Sequence, residues 1–269
     1  MKKFFLPVFI LICAGCSGGG NGSDGGGGNN SPATIAGNWQ IISTSTQNPG
    51  QSFPHAAIET LLSQTGTKVF SGSQATLVIP FYVQGTNYSV GESACGGIQA
   101  TIDGTISGHT LNFTLTETGP SGSYTVTGTG TVSSNERSVT GTYSSTAACG
   151  FGGDAGTFTG TWIGSISGNY SVSFDTGTTL QLAVSENEQQ IVVATGSYSG
   201  SSFTLNGGML GGLLALQGTV EGVGQVDYLA LYLDSTLITL IPSVNGTQTK
   251  SGDFIVFSAD LSIGLARKR

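Results

Sequence analysis

Positive charge is scarce in this chain. Its 269 residues hold eight Lys and Arg, and Arg267, Lys268 and Arg269 gather three of these at the end. Apart from Lys2 and Lys3 at the start, the remaining cations are Lys68, Arg137 and Lys250, too scattered to build the basic surface that nucleic-acid phosphates require. Nucleic acid is therefore excluded as a partner. Histidine is scarcer still: His55 and His109 stand alone, with no cysteine beside either, so neither a Cys/His metal spacing nor a Ser-His-Asp arrangement is present in sequence. No Gly-x-x-x-x-Gly-Lys-Ser/Thr loop occurs, and no cofactor is implied. Charged residues make up 9% of the chain while hydrophobic residues reach 38%. That balance excludes a charged disordered chain and favours Gly/Thr/Ser-rich strands with tight turns. The N-terminal apolar run Phe4–Ile12, broken by Pro7, falls short of the roughly 20 residues a spanning helix needs.

What that run does fit is an export signal. Met1, Lys2 and Lys3 give the positive start, the apolar centre follows, and small residues precede Cys16. Residues 13–16, Cys-Ala-Gly-Cys, resemble the bacterial lipobox Leu-Ala/Ser-Gly/Ala-Cys, matching at Ala14, Gly15 and Cys16 and departing at Cys13, where Leu is usual. The resemblance implies a signal peptide over 1–15, cleavage before Cys16 and lipid on the Cys16 thiol, so that the membrane is a partner through that lipid. Lys2 and Lys3 leave with such a leader, which takes the formal charge of −7 to about −9. Residues 16–33, rich in Gly, Asn and Ser, then read as a flexible tether whose reach grows as about 5–6 Å × √n. Ser17 stands where Asp commonly retains lipoproteins in an inner membrane. In a cell with two membranes the resemblance implies the outer one.

Two further cysteines, Cys95 in "SACGGIQ" and Cys149 in "AACGFGG", share a small-residue context. An exported chain meets an oxidising compartment, and neither cysteine has a histidine or cation beside it, so a disulfide is expected rather than a metal or redox role. Closing the loop from Cys95 to Cys149, 54 residues apart, is worth roughly 4 kcal/mol in the chain-entropy model.

From Ala100 onward the hydrophobic period is two. In "TLNFTLTE" Leu111, Phe113 and Leu115 share one face and Asn112, Thr114 and Thr116 the other, and in "SYTVTGTGTV" Tyr124, Val126 and Val132 oppose four threonines. Such alternation marks antiparallel strands with one wet face. Threonine rows on that face could suggest a glycan-binding or ice-binding ladder, but the preferred reading is that threonine is a good strand former that water tolerates. Turn signals such as "SGHT", "SSNE" and "SGSS" recur about every 8–12 residues, as in barrels and sandwiches. One stretch differs: Ile58, Leu61, Leu62 and Thr65 follow i, i+3, i+4, i+7, which predicts a short helix over 54–64. The expected fold is all-β, antiparallel barrel or sandwich units with one short helix in the first.

An internal duplication is also expected. "AGNWQIIS" echoes "TGTWIGSI", aligning Trp39 with Trp162, and "DGTISGHTLNF" echoes "TGSYSGSSFTL", aligning Gly104 with Gly196. This divides the chain into a first β domain over 34–157 and a second over 158–269. The Gly-x-Trp openings resemble the first strand of lipocalin-type barrels, which implies that Trp39 and Trp162 each plug one end of a barrel. The chain as a whole resembles Gly/Thr-rich lipoproteins of bacteria, a likeness that brings no activity with it.

Two features point elsewhere. "DYLALYLD" (227–234) and "TLITLIP" (236–242) are apolar on both faces, as in strands buried on both sides or facing lipid, so an integral outer-membrane barrel is a rival reading. "YSVSFDTGTTLQLAV" holds Asp175-Thr176-Gly177-Thr178, which resembles the aspartic-protease motif, and "LSIGLA" (261–266) resembles its buttressing element. With no second Asp-Thr-Gly in the chain, the resemblance implies a retropepsin-like homodimer in which two copies of Asp175 share a proton. Asp and Gly also make hairpin turns between alternating runs, and that is the preferred reading. Glu186 and Glu188 flank a turn and are expected to be solvated. The leading expectation is a non-catalytic, lipid-tethered envelope protein with a binding or structural role, its ligand a small molecule, glycan or protein that the sequence does not identify.

The anchor is directly testable. Cys16→Ser is expected to release the protein into the soluble envelope fraction or to stall it as precursor, and metabolic palmitate should label the wild type alone. An unlabelled wild type with a different N-terminus would refute the anchor.

Overall fold

The computed structural model describes residues 31–46, 55–72, 76–84, 87–90, 95, 100–149, 152–173, 179–198, 200–221, 224–233, 236–244, 247–248 and 266–268. Every regular element among them is a strand, and all pairings are antiparallel. The first sheet contains β1 (Gly37–Ser45), β2 (His55–Thr65), β3 (Lys68–Phe70), β4 (Thr76–Gln84), β5 (Asn87–Val90), β6 (Ala100–Ser107), β7 (Thr110–Gly119), β8 (Gly122–Val132), β9 (Ser138–Ser145) and β10 (Ala155–Trp162). Eight of these close into a barrel in the order β1-β10-β9-β8-β7-β6-β3-β2, with β2 returning to β1. Along its other edge β2 carries β4 and then β3 in succession, so the β4–β5 hairpin branches off where the barrel closes through three-residue β3.

Closure follows from the alternation. Leu111, Phe113 and Leu115 of β7 point inward with Ile102 and Ile106 of β6, Val132 and Val139 across the next hairpin, and Phe158 of β10. The "TGTGT" of β8 has a physical reason: its threonines face water while Gly128 and Gly130 face in. A Cβ on Gly128 would strike the Phe113 ring, and one on Gly130 would lie 2.8 Å from the Phe158 ring. The two phenylalanines meet edge to face, centroids 5.4 Å apart. Bulky rings thus occupy the volume that the inward glycines vacate, an arrangement that favours aromatic pairing.

A second sheet holds β11 (Gly168–Ser173), β12 (Thr179–Glu186), β13 (Ile191–Tyr198), β14 (Ser201–Leu210), β15 (Leu213–Val220), β16 (Gly224–Leu233), β17 (Thr236–Val244), β18 (Thr247–Gln248) and β19 (Ala266–Lys268). β11 to β17 pair in chain order, and β19 bonds to both β11 and β17, joining the two ends. Its core gathers Ile166, Tyr170, Val192, Phe203, Leu205 and Leu216 among others.

Three expectations change. The helix over 54–64 is absent: His55–Thr65 is β2, paired to β1 from Thr44↔His55 to Gly37↔Leu62. Ile58, Thr60 and Leu62 face the barrel interior beside Trp39 and Ile41, while Glu59, on the opposite face, is also fully buried, beneath the second sheet. Burial on both faces erases the two-residue period and leaves a helix-like spacing. The boundary at 157/158 also moves, because β10 runs on to Trp162 as part of the first barrel and the sheets change over 163–167. Consequently Trp162 does not open a second copy. It pairs directly with Trp39 at one end of the first barrel, where Trp39 is 1% exposed and donates from Nε1 to the Ile35 carbonyl at 2.8 Å. The Arg137 guanidinium covers Trp162, 3.5 Å from its ring centre.

Cys95 and Cys149 are bonded, with Cα atoms 5.1 Å apart and a sequence separation of 54. The bridge ties the segment before β6 to the β9–β10 connection. Cys95 is fully buried, and its N–H donates to the carboxylate of buried Glu117 on β7 at 3.0 Å. Replacing both cysteines by alanine should lower unfolding free energy by about 2–5 kcal/mol, read by denaturant titration. Denatured mature protein, without Cys13 and with the Cys16 thiol carrying lipid, should show no free thiol before reduction, and two free thiols there would contradict the bridge.

Candidate functional site

A groove of about 990 Å³ lies on the wet face of β3, β6, β7, β8 and β9. Strand register builds it as two parallel rows. One runs Lys68–Thr105–Asn112–Thr129–Thr142, the other Phe70–Asp103–Thr114–Thr127–Ser144, each residue directly opposite the next. Antiparallel geometry spaces neighbours along a row by about 4.8 Å and the rows by roughly 6.8 Å, so the ladder is about 19 Å long. Within it Thr129 Oγ1 donates to Asn112 Oδ1 at 2.8 Å, and the Thr127 and Ser144 hydroxyls lie 3.2 Å apart. Phe70 closes one end at 40% exposure, the large hydrophobic side chain most open to water among the described residues. The charges are one lysine and one aspartate, Lys68 and Asp103.

The threonine rows are legible in sequence, but the groove is not. Its two faces require the β3–β6 pairing, and "KVF" is too short to declare itself a strand. In the structure Lys68 and Phe70 are exposed and Val69 is buried, a pattern that the residue types alone do not show.

A second polar site sits where the sheets meet. The β14–β15 turn, Gly211–Gly212, reaches the outer face of β1 and β2. Gly212 N–H donates to Glu59 Oε2, Gly211 N–H donates to Asn38 Oδ1 at 3.1 Å, and Gln40 Nε2 donates to Glu59 Oε1 at 2.9 Å. Gly211 has φ of +56°, and any Cβ there would run into the Glu59 carboxylate and the Trp39 carbonyl, so only glycine fits. Burial pushes the Glu59 carboxyl up to about 8, against the opposing pull of the bonds from Gly212 and Gln40. At neutral pH Glu59 therefore holds its proton. With the Gln40 amide turned over, its O–H donates to Gln40 Oε1 while Oε2 still accepts from Gly212.

A third cluster is structural. Asp154 accepts from Ser45 Oγ at 2.6 Å and from the Tyr143 hydroxyl at 2.7 Å, pinning the ends of β1 and β9. Burial first, and then this carboxylate, hold Tyr143 well above the ordinary tyrosine range.

Of the residues singled out in sequence, Cys16 and Asp175 lie outside the described residues. The segment 174–178 that carries Asp175 joins paired strands, Ser173 standing opposite Thr179. Glu188 is exposed as expected, but Glu186 is not simply solvated: it is half-buried, and its Oε2 accepts the Ile166 N–H at 2.7 Å. His55 lies in β2 and His109 in the β6–β7 turn, 54 residues apart in sequence and in different elements. Among the described residues no three His, Cys, Asp or Glu side chains converge. Comparison with protein-family models, with curated proteins and with solved structures returns no match for this chain.

Glu59 makes stability depend on pH with a defined sign. Its folded value of about 8 lies above the ordinary 4.5. Its contribution is complete below pH 4.5, declines as the unfolded chain ionises while the folded one keeps its proton, and is lost above pH 8. The loss amounts to a few kcal/mol, at about 1.4 kcal/mol per pH unit. Glu59→Gln keeps the shape and both bonds but cannot ionise, so its melting temperature should change far less than the wild type's between pH 5 and 9. Equal pH dependence in the two proteins would contradict this account.

Proposed function

We propose that this protein is a lipid-tethered component of the cell envelope that binds a ligand without transforming it, through the groove on β3 and β6–β9. The observation that carries this reading is the groove itself: a concave face whose lining is hydroxyl, amide and aromatic, the chemistry of recognition. The address rests on the lipobox resemblance at Cys16 and on the Gly/Asn/Ser tether that follows it. The wet outward rows of the first barrel favour a tethered body standing in water over a wall turned to lipid, since an integral barrel presents an apolar band outward. Exposed Gln181, Thr195, Thr204 and Gln217 give the described outward positions of β12–β15 the same polarity.

The two sheets are further read as related copies. Support comes from matching hairpins: inward Gly104 pairs with Phe113, inward Gly196 pairs with Phe203, and two-residue loops connect both strand pairs. Placing Trp162 in the first barrel removes the Trp39–Trp162 landmark from that comparison.

The binding reading is tested by footprinting. The mature protein in detergent would be exposed to polysaccharide, peptidoglycan and protein fractions of the envelope, and amide exchange followed by mass spectrometry. Slowed exchange on β6–β9 with one fraction, and that fraction recovered chemically unchanged, is the expected result. Protection confined to other strands, or conversion of the bound material, would overturn it.

A further inference from the structure

We propose that the groove binds a neutral oligosaccharide, an inference that rests on the binding reading above. Three properties of the groove converge on this ligand class. The first is charge. The groove holds one cation and one anion, Lys68 and Asp103, in adjacent rows at the same end, and the remaining lining side chains are uncharged. An anionic polymer would find a single lysine on a chain of net charge −7, so electrostatics disfavours it and leaves an uncharged ligand matched to an uncharged floor.

The second property is the hydrogen-bonding lattice. Thr142 and the Asn112 amide offer donors, and Thr129, whose own proton goes to Asn112, offers an acceptor, at a regular cross-strand interval of about 4.8 Å. A hydroxyl both donates and accepts, so such a floor suits a ligand that does the same at every position. Lipid chains lack that capacity, and a peptide divides it, each N–H only donating and each C=O only accepting. The ladder's length, about 19 Å, suits several sugar rings rather than one.

The third property is Phe70. A large aromatic left 40% exposed beside a polar trough supplies a flat apolar surface, which the C–H face of a pyranose ring covers well. Its position at the end of the ladder places a terminal sugar on the ring while the hydroxyls take the rest. The inward Phe113 ring under Gly128 backs the floor and keeps β7 and β8 in register beneath it.

The experiment is a microarray probed with the mature protein in detergent. It carries neutral gluco-, xylo-, manno- and N-acetylglucosamine oligosaccharides beside uronic-acid and sulfated ones. One or more neutral series should bind, with affinity rising with chain length up to a few rings. Phe70→Ala should weaken that binding about tenfold or more, while Phe70→Tyr, which keeps the ring, should retain it. Thr129→Val, which removes one hydroxyl at constant shape, should also weaken it, with melting temperatures confirming that each variant is folded. Equal binding by Phe70→Ala and wild type, or preference for the charged series, overturns the assignment. If no neutral sugar binds although an envelope fraction protects β6–β9, the ligand class falls and the binding reading stands. Absence of both signals removes both.

Discussion

The structure depends on one steric exchange, the inward glycines of β8 yielding space to Phe113 and Phe158. A barrel of eight strands has an interior just wide enough to be filled by side chains. Here two rings meeting edge to face fill the centre, which is possible because Gly128 and Gly130 present hydrogen where any other residue would present Cβ. That exchange frees the alternate positions for threonine. Thr127, Thr129 and Thr131 stand in water because their neighbours face in. The "TGTGT" texture thus sets both faces of the wall, a packed interior and a hydroxyl ladder outside. The groove is a consequence of how the barrel closes.

A different constraint governs the joint between the sheets. Glu59, Asn38 and Gln40 lie on the outer face of β1 and β2, yet all are buried because the Gly211–Gly212 turn covers them. A polar group is costly to bury unless bonded, and each of these contacts supplies a partner. A neutral carboxyl between an amide side chain and a backbone N–H avoids most of the penalty a buried charge would incur. The requirement for glycine at position 211 gives the contact a defined shape as well as a defined chemistry.

The strand alternation and the Cys95–Cys149 pairing were legible because they are local or nearly forced. Leu111, Phe113 and Leu115 declare their face in five residues, and on the reading of the chain as exported Cys95 and Cys149 have one obvious partner each. What escaped was whatever depends on contacts far apart in sequence. β2 reads as a helix because the covering turn lies some 150 residues away and hides Glu59 from water. β10 reads as the start of a new domain because the strand that claims it, β1, lies over 100 residues earlier. The groove needed β3 beside β6, a pairing that no periodicity in "KVF" predicts. Phe70 gained its meaning only from that neighbour.

The central claim, that the outer face of β3 and β6–β9 is a binding surface for neutral sugar, is tested most directly by NMR. Backbone amide and threonine methyl resonances of isotope-labelled protein would be followed during titration with an oligosaccharide from a bound series. The account predicts saturable shifts at Thr105, Thr114, Thr129 and Thr142 and at the Phe70 ring. Shifts confined to the second sheet or to the Gly211–Gly212 joint, with those residues still, would contradict it.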